Sequence, residues 1–146
     1  MPPILLDSNI LVYVFNIREP NRQHLAQSLV QRVEREGMGR LSVQSLGEFF
    51  IAVTRKLHLP PAEMYIQVER WRDVFPVFNL TPQIVLEAAR GVRDHRLAYY
   101  DAQIWAAARL NQVPVLFSED FQDGEILEGV RFANPFTPTF DLEAWL

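Results

Sequence analysis

PILLDSN, residues 3–9, decides how the rest of the chain is read. Ile4, Leu5 and Leu6 form a short apolar run that stops on an acid, Asp7. A run of this length, bounded by turn residues, reads as a buried strand. Ser8 and Asn9 then turn the chain into a second apolar segment, ILVYVF. In an open α/β sheet, ligands bind outside the carboxyl ends of the strands. A carboxylate at that place is either a helix cap or a catalytic group. The local sequence leaves both open for Asp7.

Outward from this stretch, strand and helix patterns alternate. Residues 10–15 read as a short buried helix, broken by Arg18-Glu19-Pro20-Asn21. Residues 24–36 carry Leu25, Ala26, Leu29, Val30 and Val33 at helical spacing, closed by Gly37 and Gly39. Residues 40–43 read as a second strand. Leu46, Phe49, Phe50, Val53 and Leu57 give residues 45–57 a helical apolar stripe. Pro60-Pro61 opens a helix to about residue 72, with proline in its first turn. Residues 74–80 read as a third strand, at an edge because Pro76 has no N–H to donate. Helices over 83–93 and 99–110 follow, then strands over 113–117 and 130–133. The tail carries too few signals to place. With no repeat and no linker, residues 1–146 are expected to form one domain. The alternation predicts an α/β fold: three layers, α/β/α, around a central, mostly parallel sheet.

Composition narrows the functional classes. Of 146 residues, 49 % are hydrophobic and 22 % charged, a globular rather than disordered balance. No cysteine is present, which excludes disulfides and thiolate metal sites and fits a reducing compartment such as the cytoplasm. No basic segment runs into a long apolar stretch near residue 1, so no secretory leader is expected. The apolar runs fall short of the ~20 residues that span a bilayer, so no membrane role is expected. A net charge of −4 disfavours a protein that coats nucleic acid. It leaves room for a nuclease, which needs only a local basic patch beside an acidic site. Lys56 is the sole lysine, and arginine supplies the remaining positive charge.

Four acids are expected to meet. Asp7 ends the first strand, and Asp120 lies just past the strand over 113–117. Helices on a parallel sheet run antiparallel to its strands, so a helix after one strand or before the next begins at the carboxyl edge. Glu48 falls in the first turn of the helix over 45–57, and Asp101 in the first turn of the helix over 99–110. All four carboxylates are thereby predicted at one edge. Clustered carboxylates repel and raise one another's pKa unless a positive charge sits among them. The natural occupant is a hard divalent cation, Mg²⁺ or Mn²⁺; the lack of Cys and of paired His argues against zinc. Such a metal can activate water and stabilise charge on a phosphoryl oxygen, the chemistry of phosphodiester hydrolysis.

Each residue also has a local explanation. Asp7 can cap the helix after it. Ser45-Leu46-Gly47-Glu48 fits a capping box. Asp101 suits a helix N-terminus electrostatically, and Asp120 sits among Glu119 and Asp123 in a loop closed by Gly124. Convergence of the four favours the functional reading. Arg90, Arg93, His95 and Arg96, with Tyr99 and Tyr100 just before Asp101, form the densest basic stretch. It is either a guide for a phosphate backbone with a base stacked on Tyr100, or an exposed helix end with dipole-favoured cations.

DSN at 7–9, Glu48 within SLGEFF, YYDAQIWAAA around Asp101, and LFSEDFQDG at 117–124 together resemble the PIN-domain nucleases. The stand-alone size is similar to a VapC-type toxin of a toxin–antitoxin pair. The resemblance implies that Asp7, Glu48, Asp101 and Asp120 are the acidic quartet, with Asp7, Asp101 and Asp120 holding the metal. It implies that Ser118 is the hydroxyl residue accompanying the fourth acid, Asn9 the polar residue after the first, and Asp123 an additional acid at the site. It further implies a Mg²⁺- or Mn²⁺-dependent endoribonuclease that dimerises and is silenced by a cognate antitoxin. Two alternatives stand beside it. One is a PIN-fold binding module without chemistry. The other is an aspartyl-nucleophile phosphatase of the haloacid-dehalogenase kind. That kind wants a second Asp where Asn9 stands, and a downstream Lys for which only Lys56 is available.

Overall fold

The computed structural model describes residues 2–146. The elements run β1 (Ile4–Leu6), α1 (Ser8–Tyr13), α2 (Pro20–Arg35), β2 (Gly39–Ser42), α3 (Val43–Arg55), α4 (Pro61–Val74), β3 (Val77–Phe78), α5 (Pro82–His95), α6 (Tyr99–Leu110), β4 (Val115–Phe117), β5 (Ile126–Leu127) and β6 (Val130–Ala133), followed by a 3₁₀ turn at Leu142–Trp145. Among the described residues the sheet has six strands in the order β3-β2-β1-β4-β6-β5. All neighbours pair in parallel except β5 with β6.

PILLDSN lies at the centre of this arrangement. β1 is flanked by β2 and β4, with Ile4 opposite Gly39 and Val115, and Leu6 opposite Phe117. Ile4, Leu5 and Leu6 are fully buried, as expected of a strand covered on both faces. Side chains alternate across a strand. Ile4 and Leu6 pack with α1–α4 and the C-terminal tail, whereas Leu5 packs with α5 and α6. The three-layer expectation holds.

The differences in detail have local causes. α1 begins at Ser8, two residues earlier than the apolar pattern suggests, because Asp7 takes the N-cap position. α2 begins at Pro20, since proline is at home in a first helical turn. β3 is an edge strand as expected, but only two residues long. β5 lacks an alternating pattern and is an addition to the expected elements. α3 differs most. Its N-cap is Ser42, whose Oγ accepts from Ser45 N–H at 3.0 Å. The capping box with Ser45 as cap is therefore incorrect, and Glu48 lies in the second turn rather than the first. Ser45 is buried and ties the start of α3 to the end of β1, its Oγ donating to Leu6 O at 2.9 Å.

At Gly39 the sheet and the end of α4 approach so closely that a Cβ would overlap the Phe75 ring. The glycine there serves packing, although the sequence suggested a helix stop.

Residues after β6 return across the face covered by α1–α4. Phe140 and Trp145 meet the Phe117 ring edge-on at 5.5 Å, and Arg32 of α2 pairs with Glu143 at 2.7 Å. No helix among the described residues is long and apolar enough to cross a membrane.

Candidate active site

The carboxyl ends of β1 and β4 lie side by side, and the backbone at their tips prolongs the ladder: Asp7 N–H donates to Phe117 O at 3.0 Å. Asp7 is thereby fixed at the sheet edge while remaining 4 % exposed. Both its oxygens are engaged. Oδ1 accepts from Ser8 N–H at 2.7 Å, which is the capping contact, and Oδ2 accepts from Ser118 Oγ at 2.7 Å. Cap and site residue are therefore not alternatives, since each oxygen takes one task.

Burial outweighs these bonds. It pushes the Asp7 carboxyl up from the ordinary 3.8 to about 7, against the pull of Ser118 and Ser8, and the charges of Asp120 and Glu48 raise it further. Glu48 is half-buried and is also raised, first by burial and then by Asp101 and Asp120. Hydrogen bonds from Gln44 and Ser8 partly offset this. Asp101 is raised by burial and by Asp120. Asp7 feels Glu48, Glu48 feels Asp101, and all three feel Asp120. The four acids are thus brought together from the tip of β1, the second turn of α3, the first turn of α6 and the loop after β4.

Ser118 is fully buried and connects the set. Its Oγ donates to Asp7 and accepts from Asp120 N–H at 3.1 Å. Asn9 Nδ2 lies 3.3 Å from that Oγ and donates to Asp120 Oδ2 at 3.1 Å. Asn9 Oδ1 is buried and has no hydrogen-bond partner among the described residues.

Asp123 stands apart from this network. Its Oδ1 accepts from Asn134 N–H at 2.8 Å, pinning the turn before β5 to the segment after β6. It also lines a cavity of about 250 Å³ beneath the C-terminal tail. Arg90 is occupied by Glu87, Glu128 and Asp94, and Arg93 by its neighbour Asp94. Arg96 takes the left-handed position that ends α5, with φ 58°. Tyr100 is 65 % exposed beside Asp101, and its carbonyl accepts from Gln44 Nε2 at 2.9 Å. Ser8 and Gln44 support Glu48 without any sequence pattern that marks them for it, save the position of Ser8 inside DSN.

The sequence pattern of the family described as PIN domain matches residues 4–122, which spans every member of the quartet. The chain belongs to the PIN domain family. PIN domains are typically nucleases and generally metal-dependent. This PIN domain is similar in fold to VapC20 of Mycobacterium tuberculosis, described as a toxin that cleaves the sarcin–ricin loop. The two are 19 % identical with a TM-score of 0.63, over 88 % of this chain and 98 % of that one. A toxin–antitoxin complex from Klebsiella pneumoniae contains a chain 22 % identical, with a TM-score of 0.61 over 91 % and 98 %. DNA-bound VapBC from Salmonella typhimurium contains another, 18 % identical, with a TM-score of 0.63 over 90 % and 97 %. At these identities the likeness is one of fold. No curated protein sequence matches the chain.

The donor set of this PIN domain suits a hard cation. The side chains at the edge offer oxygen, and the chain has no thiolate. The buried, unpartnered Asn9 Oδ1 and the raised Asp7 carboxyl are groups that a cation or its water shell would satisfy. No three acidic or histidine side chains among the described residues are grouped tightly enough to hold an ion by themselves.

Proposed function

We propose that this PIN domain is a metal-dependent endoribonuclease acting on RNA phosphodiester bonds, as the toxin of a VapC-type toxin–antitoxin pair. The observation carrying this reading is the hydrogen-bonded set at one sheet edge, Ser118 Oγ to Asp7 Oδ2 and Asn9 Nδ2 to Asp120 Oδ2, beside which the carboxyls of Glu48 and Asp101 are raised by burial and by Asp120. Asp7, Asp101 and Asp120 would hold Mg²⁺ or Mn²⁺, directly or through water. When bound, the cation would acidify a water and stabilise negative charge on the phosphoryl group. Glu48 orients the attacking water and takes its proton; a carboxyl raised by burial is closer to the pKa a general base needs. Ser118 fixes Asp7, and Asn9 orients Asp120.

For the substrate, exposed Tyr100 offers a ring on which a base can stack beside the acids. Arg96 is a candidate phosphate contact. Arg90 and Arg93 would serve only by exchanging their acidic partners for phosphate. The toxin–antitoxin complexes among the solved structures support a cognate antitoxin as partner. A homodimer working in the cytoplasm belongs to the same reading.

The test is incubation of the purified chain with RNA in Mg²⁺ or Mn²⁺, with and without EDTA, alongside melting curves. Cleavage abolished by EDTA, with metal-induced stabilisation, is the expected result. A second reading, a non-catalytic PIN-fold binding module, draws on the absence of a tight three-acid group among the described residues. RNA binding with neither cleavage nor metal-induced stabilisation would favour it.

A further inference from the structure

The loop that carries Asp120 is held from two sides. Residues 118–120 follow β4 without regular structure. Ser118 and Asp120 turn toward Asp7 and Asn9. Glu119, between them, turns to the opposite side. Its carboxylate accepts from Tyr13 Oη at 2.9 Å and pairs with Arg22 Nη1. Arg22 also donates to Tyr13 Oη at 3.0 Å. The guanidinium lies over the Tyr13 ring at 5.3 Å and the Phe136 ring at 5.2 Å. Those two rings meet edge-on, 4.8 Å apart. The end of α1, the first turn of α2, the β4 loop and the segment after β6 therefore close around one carboxylate.

The fold alone does not call for this clamp. Asp120 faces Asp7, Glu48 and Asp101, and like charges push it outward. A single bond from Asn9 and the Ser118 bond to its amide oppose that push from within the site. The bonds at Glu119 oppose it from behind, with a charge-assisted pair, a phenol and two aromatic faces.

We propose that Glu119, gripped by Tyr13 and Arg22, is a positioning residue that holds Asp120 at the metal-binding edge. The role rests on the nuclease reading above. Glu119 itself touches neither metal nor substrate. It restrains the loop, and groups supporting metal ligands matter to affinity by about 10–100-fold.

The experiment is Mn²⁺ titration of the purified chain by electron paramagnetic resonance, with RNA cleavage measured in parallel. In Glu119→Ala the expected Mn²⁺ Kd rises about tenfold or more, kcat falls and KM for RNA stays unchanged. Glu119→Gln keeps an oxygen that accepts from Tyr13 and Arg22, and should restore most of the wild-type affinity. Tyr13→Phe removes one of the two grips and should fall between. Wild-type Mn²⁺ affinity in Glu119→Ala overturns the proposal. So does a Glu119→Gln protein as weak as Glu119→Ala, because the negative charge would then act at the site directly. Mn²⁺ binding without RNA cleavage in the wild type removes the nuclease reading, while the order of affinities still decides the clamp. A wild type that binds no Mn²⁺ overturns both.

Discussion

Ser118 Oγ donates to Asp7 Oδ2 at 2.7 Å across 111 positions of sequence, inside the seam between β1 and β4. The bond joins two residues that each follow the last residue of a strand, and it opposes the burial that drives the Asp7 carboxyl up. Ser118→Ala should raise that carboxyl further and leave Asp120 N–H without its acceptor. Loss of a buried hydrogen bond costs about 1–3 kcal/mol. Chemical denaturation should show that loss, and Mn²⁺ titration should show weaker binding. Unchanged affinity would mean that the bond serves the fold alone.

Stability of the metal-free protein should depend on pH through Asp7. Its folded pKa, about 7, lies above the ordinary 3.8. Between those values the native state holds a proton that the unfolded state has released. Stability from this group is present in full below pH 3.8 and is lost as pH rises toward 7. With EDTA present, the melting temperature is expected to fall between pH 5 and pH 8. Asp7→Asn should flatten that fall and be more stable than wild type at pH 8, each tenfold difference in proton affinity being worth about 1.4 kcal/mol. Added Mn²⁺ should reverse the trend for the wild type. A wild-type curve that rises with pH in EDTA would contradict the electrostatic picture.

Because Ser42 caps α3, Glu48 carries no capping duty. Glu48→Gln should leave the melting temperature in EDTA at or above wild type, because burial already disfavours the Glu48 charge, and still abolish RNA cleavage. Ser42→Ala should do the opposite, costing about 1 kcal/mol of stability with cleavage retained at temperatures where the protein is folded. Denaturation and cleavage measured on both variants separate the capping role from the catalytic one.

Gly39→Ala should destabilise the protein without any special effect on metal binding. Its Cβ would overlap the Phe75 ring. Overpacking of this kind costs about 1–3 kcal/mol. A melting temperature equal to wild type would show that the end of α4 yields easily.

Much of this was legible in the sequence because burial leaves a strong pattern. Residues 4–6 are apolar on both faces, and the helices they sit under repeat every three to four residues. The acids at 7, 101 and 120 could be placed at one edge from strand direction and helix starts, whereas Glu48 was expected in a first turn and lies in the second. Caps were less legible. Ser42 and Ser45 are both hydroxyl residues three positions before a polar one, and only backbone geometry shows which of them caps α3. Partnerships between distant charges were not legible at all. Arg90 and Arg93 looked like a phosphate guide, yet Arg90 is matched by Glu87 one turn back and by Glu128 from the turn between β5 and β6. Asp123 looked like a fifth acid because it follows Asp120 closely, but the turn aims it at Asn134. Tyr13, Arg22 and Glu119 meet only because α1, α2 and the β4 loop converge on the same corner.

The most direct measurement is the RNA cleavage rate of Asp101→Asn beside wild type in Mn²⁺, with melting curves to show that both are folded. Asp101 sits inside the first turn of α6 rather than at its cap, and burial and Asp120 both disfavour its charge, so its loss should spare the fold. Cleavage by the variant is expected to fall to the level seen in EDTA while its melting temperature in EDTA stays at or above wild type. Undiminished cleavage by folded Asp101→Asn would contradict the four-acid metal site.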